Sequence, residues 1–316
     1  MTIRSVFFGT PSFAVPALEA LHSVSTIVGV VCQPDRRAGR GLHSNAPPVK
    51  KAALARDLLV HQPERVRTGE LERWLLEREA DVALVAAYGR ILPAAVLSAP
   101  RRGCLNLHAS ILPEYRGAAP IQQALLDGKT ETGISLMQMD AGMDTGAVFA
   151  VRRCAIPPHM NAGELTDALA ALAAAMVADE FLAAVAGKLL AVPQDSAHAS
   201  AAPPIRKEQL WLDWTRSSVQ LLNQVRAFAP TPAAVTRIGQ RRLKLLDARL
   251  GTSGLSAPPG LVLAAPNARL EVACGSGTLE LCRAQVEGGK PQTARELQSG
   301  RLLQPGQQLG GTGSEP

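Results

Sequence analysis

The chain has few aromatic residues. Phe, Trp and Tyr make up 3% of its 316 residues, so its core has to be built mainly from Ala, Leu and Val. Charged residues are also sparse, at 19% against 47% hydrophobic. That balance excludes an intrinsically disordered chain, and the length allows a sizeable core in two domains. The five cysteines, Cys32, Cys104, Cys154, Cys274 and Cys282, are odd in number and scattered. No Cys-x-x-Cys or Cys/His spacing suggests zinc, so no metal site is expected and the thiols are read as reduced, in a cytoplasmic protein. No apolar run reads as long enough to cross a bilayer. The opening "MTIRSVFFGTPS" lacks the basic, apolar and small-residue layout of a secretory signal, and no membrane partner is expected. Nor does Gly-x-Gly-x-x-Gly follow the first apolar run, where "FFGTPSFA" stands instead. That absence speaks against a nicotinamide-dependent dehydrogenase.

The charge that is present is unevenly placed. Residues 206–301 hold fourteen Lys and Arg against seven Asp and Glu, whereas residues 1–205 hold nineteen of each. A neutral body with a basic appendage points to a polyanionic partner.

Apolar, β-prone runs alternate with helical ones from the start. "IRSVFFG", "TIVGVVCQP", "DVALVAAYGRILP" and "GCLNLHAS" read as strands, several of them apolar throughout, as in a sheet covered on both faces. "TGISLMQMD" and "GAVFAVRRCAI" continue the series, with "PPVKKAALARDL", "GELERWLLEREA" and "AAPIQQALLDG" as helices between. This alternation predicts an α/β fold, a Rossmann-like doubly wound, mostly parallel sheet, over residues 1–190. Its last helix begins with a capping-box pair, Asn161 and Glu164, and stops at Gly187. Residues 191–206 are rich in Pro, Ala and Ser without apolar period and read as a linker. Residues 207–305 carry one helix and several short strands, predicting a small β-barrel of OB-like type. Residues 306–316 read as a disordered tail.

The informative stretch is "GCLNLHASILPEYRG", residues 103–117. Strand alternation puts Asn106 and His108 on one face, about 7 Å apart, where the strand ends. Ligands of doubly wound sheets bind at such carboxyl ends. A second loop, "MDAGMDTG", also follows a strand and holds Asp140, Gly142, Asp144 and Gly146. A carboxylate beside an imidazole orients the ring and favours its charged form. An amide nearby can donate to a carbonyl oxygen as it becomes anionic. Together these are parts for attack on a carbonyl, although spacing alone does not bring His108 to Asp144. His22, His43, His61, His159 and His198 have no partner pattern. Trp74, Trp211 and Trp214 read as packing residues.

"NLHASILPEYRGAAPIQQAL" followed by "TGISLMQMDAGMDTG" resembles the signature of the folate-dependent formyltransferases. The resemblance implies a catalytic trio of Asn106, His108 and Asp144 and a co-substrate, 10-formyltetrahydrofolate. It implies a folate pocket formed by Ser110, Ile111, Leu112 and Pro113, with Tyr88, Ile91, Asp140 and Gly142 closing it. The Gly9-Thr10-Pro11 start, the basic loop "QPDRRAGRGLHSNAPPVKK" and the basic second domain are similar to members whose acceptor is initiator methionyl-tRNA. By that likeness Arg36 and Arg40 reach its acceptor end, and Lys207, Arg242 and Lys244 meet phosphates. Strand alternation puts Arg242 and Lys244 on one face. A cytoplasmic monomer is implied. Two departures stand out. Leu42 and His43 occupy places where relatives carry lysines, with Lys50 and Lys51 supplying charge elsewhere. Ala229 and Thr231 replace an Asn and a Trp. Other readings are a family member with a small amine acceptor, such as glycinamide ribonucleotide or an amino sugar nucleotide, and a non-catalytic RNA-binding protein on the same scaffold.

Overall fold

The computed structural model describes residues 2–38, 43–252, 254 and 257–310. Two compact units are present. One is drawn from Met1–Pro120, Glu131–Ala155 and Thr166–Pro203, the other from Ile121–Thr130, Ile156–Leu165 and Pro204–Pro316. The division is therefore not a single cut after residue 190. Within the second unit Arg226 explains part of this, donating from Nε to the Met160 carbonyl at 2.9 Å and from Nη2 to that of Pro157 at 3.2 Å.

The first unit is built on a seven-stranded sheet. Its strands are β1 (Arg4–Gly9), β2 (Thr26–Val31), β3 (Val60–His61), β4 (Val82–Ala86), β5 (Cys104–His108), β6 (Glu131–Gln138) and β7 (Val148–Ala155). They lie in the order β7-β6-β5-β4-β1-β2-β3. Pairings from β3 to β5 are parallel, while β6 runs antiparallel to both β5 and β7. The sheet is thus doubly wound as expected, with an antiparallel margin. β4 and β5 are buried at every residue, which is why their sequences are apolar almost without alternation. The carboxyl ends of β1 and β4, where the strand order reverses, are joined by Thr10, whose hydroxyl donates to the Tyr88 carbonyl at 3.0 Å.

Ala162–Val185 forms one long helical run, with a π-turn at Val177–Phe181. Asn161 and Glu164 cap it reciprocally, each backbone amide donating to the other's side chain at 2.9 and 3.1 Å. Here the expectation about apolar runs needs correction. The run has 24 residues and a mean hydropathy of 1.9 over its best window, enough by length and composition to cross a membrane. Its Leu169, Ala173, Met176, Val177 and Phe181 are buried, and Val177–Phe181 packs on the helix Val15–Val24, as a core helix does. Alanine supplies its hydropathy and small side chains let it pack closely.

The stretch read as a linker is held along its length. Val192 exchanges hydrogen bonds with Val148, and Ala201–Ala202 pairs in parallel with Arg116–Gly117. Proline and serine content signalled irregular backbone, which this segment has, but several of its hydrogen bonds go to the first unit.

In the second unit the strands are β8 (Ala234–Ile238), β9 (Arg241–Leu250), β10 (Val262–Ala265), β11 (Arg269–Ala273), β12 (Thr278–Val286) and β13 (Gln292–Thr293). Their order is β8-β9-β12-β11-β10, with β13 on β12, and every pairing is antiparallel. The edges are β8 and β10. Leu309 bridges Ile238 on one edge strand, and Gln308 bridges Leu261, the residue before the other. Residues 306–310, expected to be part of a disordered tail, therefore close the sheet on itself; residues 311–316 lie outside the described ones. The composition is that of a tail, but one apolar side chain, Leu309, is 1% exposed and anchors it. Leu309→Ala should lower stability by about 3 kcal/mol, the ordinary cost of such a cavity, measured by urea or thermal unfolding.

Candidate active site

β5 delivers Asn106 and His108 to one face at its carboxyl end, where they are 9% and 6% exposed. The turn that follows is fixed from the neighbouring strand. Ser135, opposite His108 on β6, donates to the Ser110 carbonyl at 2.7 Å and accepts from the Leu112 amide at 3.1 Å. The Ser110 hydroxyl closes the turn on the Glu114 carbonyl at 2.6 Å, and the Leu112–Pro113 peptide is cis. Tyr115 then adopts a left-handed φ of 61°, and its carbonyl lies 2.9 Å from His108 Nε2. A carbonyl only accepts, so Nε2 donates there and carries the hydrogen. In the neutral ring the free lone pair is then on Nδ1.

Asp144 arrives on the loop between β6 and β7. Asp140 Oδ1 gathers this loop by accepting from the Gly142 amide at 3.0 Å and the Thr145 hydroxyl at 2.7 Å. A Cβ on Gly142 would lie 2.0 Å from Thr145 Oγ1, so a larger residue would break that closure. Asp144 itself has φ 55°, a conformation Asp tolerates better than most residues. Its Oδ2 stands 3.6 Å from His108 Nδ1 and accepts from the Gly117 amide at 2.9 Å. Gly117 has φ 125°, and a Cβ there would strike the Ala202 carbonyl. Imidazole and carboxylate thus meet across two loops, which spacing alone could not establish. The Asn106 side chain makes no hydrogen bond among the described residues, leaving its amide free for a ligand. Cys104, on the same strand, is buried, and burial pushes its thiol up to about 12, so it offers no thiolate nucleophile.

The expected pocket residues divide. Ile111 and Pro113 are half-buried, Leu112 is buried, and Ile91 is 63% exposed. Asp140 and Gly142 are exposed on the loop. The Ser110 side chain is buried and committed to Glu114, so it shapes the turn and offers no free donor. The Tyr88 ring belongs to the core, edge-on to Phe8 at 5.4 Å, and burial pushes its phenol up to about 12. What Tyr88 presents at the strand ends is its carbonyl, held by Thr10 and by Gln33 Nε2 at 2.8 Å.

Of the basic residues, Arg36 is exposed and donates to Gln33 Oε1 at 2.5 Å. Arg40 lies outside the described residues. The Lys50 charge is engaged with Asp35 at 2.8 Å, and Lys51 donates to Asn45 at 3.1 Å. In the second unit Lys207 is exposed, as are Arg242 and Lys244 on one face of β9. Trp211, read as a packing residue, is only half-buried. The guanidinium carbons of Arg237 and Arg242 lie 5.4 and 5.7 Å from its ring centre. No sequence pattern joined those residues; β8 and β9 bring them together. Trp214 is buried and donates to Thr236, as a packing residue does. The sequence also gave no signal for Gln194 and Arg116, which support the Asp144 loop. Among the described residues no group of three or more His, Cys, Asp and Glu could hold a metal ion.

An amide without a protein partner among the described residues and an imidazole beside a carboxylate thus stand together near the carboxyl end of β5. The chain belongs to the formyl transferase family. The family model described as formyl transferase matches residues 3–180, and that of the formyl transferase C-terminal domain matches residues 204–302. The chain is 54% identical to the methionyl-tRNA formyltransferase of Sorangium cellulosum over 98% of its length and 100% of that protein's. It is 45% identical to that of Myxococcus xanthus, over 96% and 97%. Among solved structures, the fold resembles an N-formyltransferase from Helicobacter canadensis in complex with folinic acid and dTDP-3-aminofucose. There the TM-score is 0.68 at 16% identity, covering 89% of this chain and 99% of that one. It also resembles methionyl-tRNA formyltransferase from Clostridium thermocellum, with a TM-score of 0.56 at 15% identity over 86% and 100%.

Proposed function

We propose that this protein transfers the formyl group of 10-formyltetrahydrofolate to the α-amino group of initiator methionyl-tRNA. The observation that carries the acceptor is 54% identity, end to end, with a relative of that activity. The chemistry is supported by the approach of His108 Nδ1 to Asp144 at 3.6 Å beside the unengaged Asn106 amide. The fit to the folate rests on the turn at 110–113, fixed by Ser135 and by the Ser110–Glu114 hydrogen bond, and on the loop that exposes Asp140 and Gly142. Ile111, Leu112 and Pro113 would hold the folate, with Ile91 at the edge, and it supplies the formyl carbon.

As the amine attacks that carbon, negative charge develops on the formyl oxygen. Asn106 donates to it without having to break a protein hydrogen bond first. The amine must lose a proton. His108 Nδ1, the ring nitrogen not engaged by Tyr115, accepts it and returns one to the departing nitrogen. Asp144 faces Nδ1, stabilises the ring while it carries the proton, and is held in place by the Gly117 amide. This proton path makes no use of a metal or a covalent enzyme intermediate.

Incubation with 10-formyltetrahydrofolate and charged initiator tRNA should yield formylmethionyl-tRNA. Transfer only to a sugar nucleotide amine or to glycinamide ribonucleotide would overturn the acceptor, and no transfer at all would favour a non-catalytic RNA binder. The same reading makes the protein a cytoplasmic monomer, checkable by light scattering of the purified chain.

In the second unit, exposed Lys207, Arg242 and Lys244 are assigned to tRNA phosphates, contacts that position RNA without reading sequence. The double variant Arg242→Ala, Lys244→Ala should raise KM for charged tRNA and leave kcat unchanged. The slope of log affinity against log salt should fall by roughly 1.5, as expected for two lost phosphate contacts. An unaltered salt slope would count against both residues.

A further inference from the structure

The geometry points to Gln194 as the residue that positions Asp144, through the backbone of the loop that carries it. This rests on the assignment of Asp144 to the reacting site.

The Gln194 side chain is fully used. Its Nε2 donates to the Asp144 carbonyl at 2.8 Å and to the Gly146 carbonyl at 2.7 Å. Its Oε1 accepts from Arg116 Nε at 3.0 Å and Nη2 at 2.9 Å. Two carbonyls accept only and a guanidinium donates only, so the amide has one workable orientation. These bonds span Asp144, whose left-handed φ of 55° needs support from its surroundings. Arg116 directly precedes Gly117, whose amide fixes the Asp144 carboxylate at 2.9 Å. One side chain therefore ties the loop bearing the carboxylate to the loop that receives it.

Gln194 is itself placed from both sides. Val192 pairs with Val148 before it, and after it Ser200 accepts from the Arg116 amide through its carbonyl at 2.8 Å and from the Tyr115 amide through its hydroxyl at 2.9 Å. Tyr115 supplies the carbonyl that orients His108. The segment from 192 to 202 thus serves both the carboxylate and the imidazole, although its sequence resembles a tether.

The test compares Gln194→Ala, Gln194→Glu and Asp144→Asn in the full-length protein, with 10-formyltetrahydrofolate and charged initiator tRNA. Gln194→Glu keeps the volume and the contact with Arg116 but turns an acceptor toward two carbonyls. If Gln194 only filled space, this variant would behave as wild type. If it positions the carboxylate, both Gln194 variants lose kcat by about 10- to 100-fold, the range expected for small misplacements at a reacting site. KM for charged tRNA should stay within about twofold, while that for the folate can rise together with the loss of kcat, because the same loop is assigned to its pocket. Asp144→Asn should fall at least as far. Near-normal kcat in Gln194→Glu alongside an inactive Asp144→Asn would overturn the positioning role alone. A rise in KM with kcat unchanged would do the same. Wild-type kcat in Asp144→Asn would remove the reading of Asp144 and the Gln194 role with it. Should Gln194→Ala fail to fold by its melting curve, Gln194→Glu decides the matter.

Discussion

Asn106→Ala lowers kcat by about 10²- to 10³-fold, roughly the 3–4 kcal/mol that one oxyanion donor contributes elsewhere. Its amide makes no hydrogen bond to the described protein, so removing it leaves no protein group newly unpaired. The melting temperature should therefore move little while turnover collapses. KM should also change little, because the donor acts on charge that appears only as the carbon is attacked. Asn106→Asp provides the control for shape: it keeps the size, exchanges a donor for an acceptor, and should be as poor as the alanine variant. Rapid-quench measurement of a single turnover separates this chemical loss from slow product release. Turnover close to wild type in either variant would refute the assigned role.

His108→Gln should cost more, with kcat down by about 10²- to 10⁴-fold, the range for losing a general acid and base. Glutamine is preferred to alanine here because its amide can still donate to the Tyr115 carbonyl, which His108 Nε2 meets at 2.9 Å. Alanine would remove that hydrogen bond to a buried carbonyl and mix a folding defect with the chemical one. In His108→Gln no group at the Nδ1 position can take up a proton, while Asp144 keeps its hydrogen bond from Gly117. The variant should fold, bind both substrates, and fail to turn over.

The two predictions draw on different parts of the molecule, and that decides how readable each residue was. Asn106 and His108 are two apart on one strand, and strand periodicity alone puts them on one face where the apolar run stops. Their candidacy was therefore legible from fifteen residues of sequence. The carboxylate was legible as a candidate, but its meeting with the ring was not, because β6 runs antiparallel beside β5 and its loop leaves opposite Leu105, at the amino end of β5, and has to reach back to His108. Tyr88 shows the opposite failure. The family resemblance implied that it closes a pocket, yet its ring packs into the core against Phe8 and only its carbonyl reaches the strand ends. Side-chain direction at the end of a strand is set by the neighbouring elements, not by its own periodicity.

Segments with tail-like or linker-like composition make hydrogen bonds that their composition does not announce, for a shared reason. Composition reports how much apolar surface a segment can bury on its own. It does not report whether a nearby sheet edge has unpaired backbone groups to offer. Residues 306–310 find two such edges, and residues 192–202 find Val148 and Arg116–Gly117.

The sequence by itself determined the alternation of strand and helix, the apolar core of the parallel strands, the basic excess of the last third, and the shared face of Asn106 and His108. All of these follow from local periodicity or from counting. Only the tertiary structure decided that Asp144 reaches His108, that Gln194 holds the loop of Asp144, that Trp211 lies among arginines, and that Leu309 closes the second sheet. Each of those joins residues far apart in the chain, and the hydrogen bonds and packing that join them exist only once the sheets have formed.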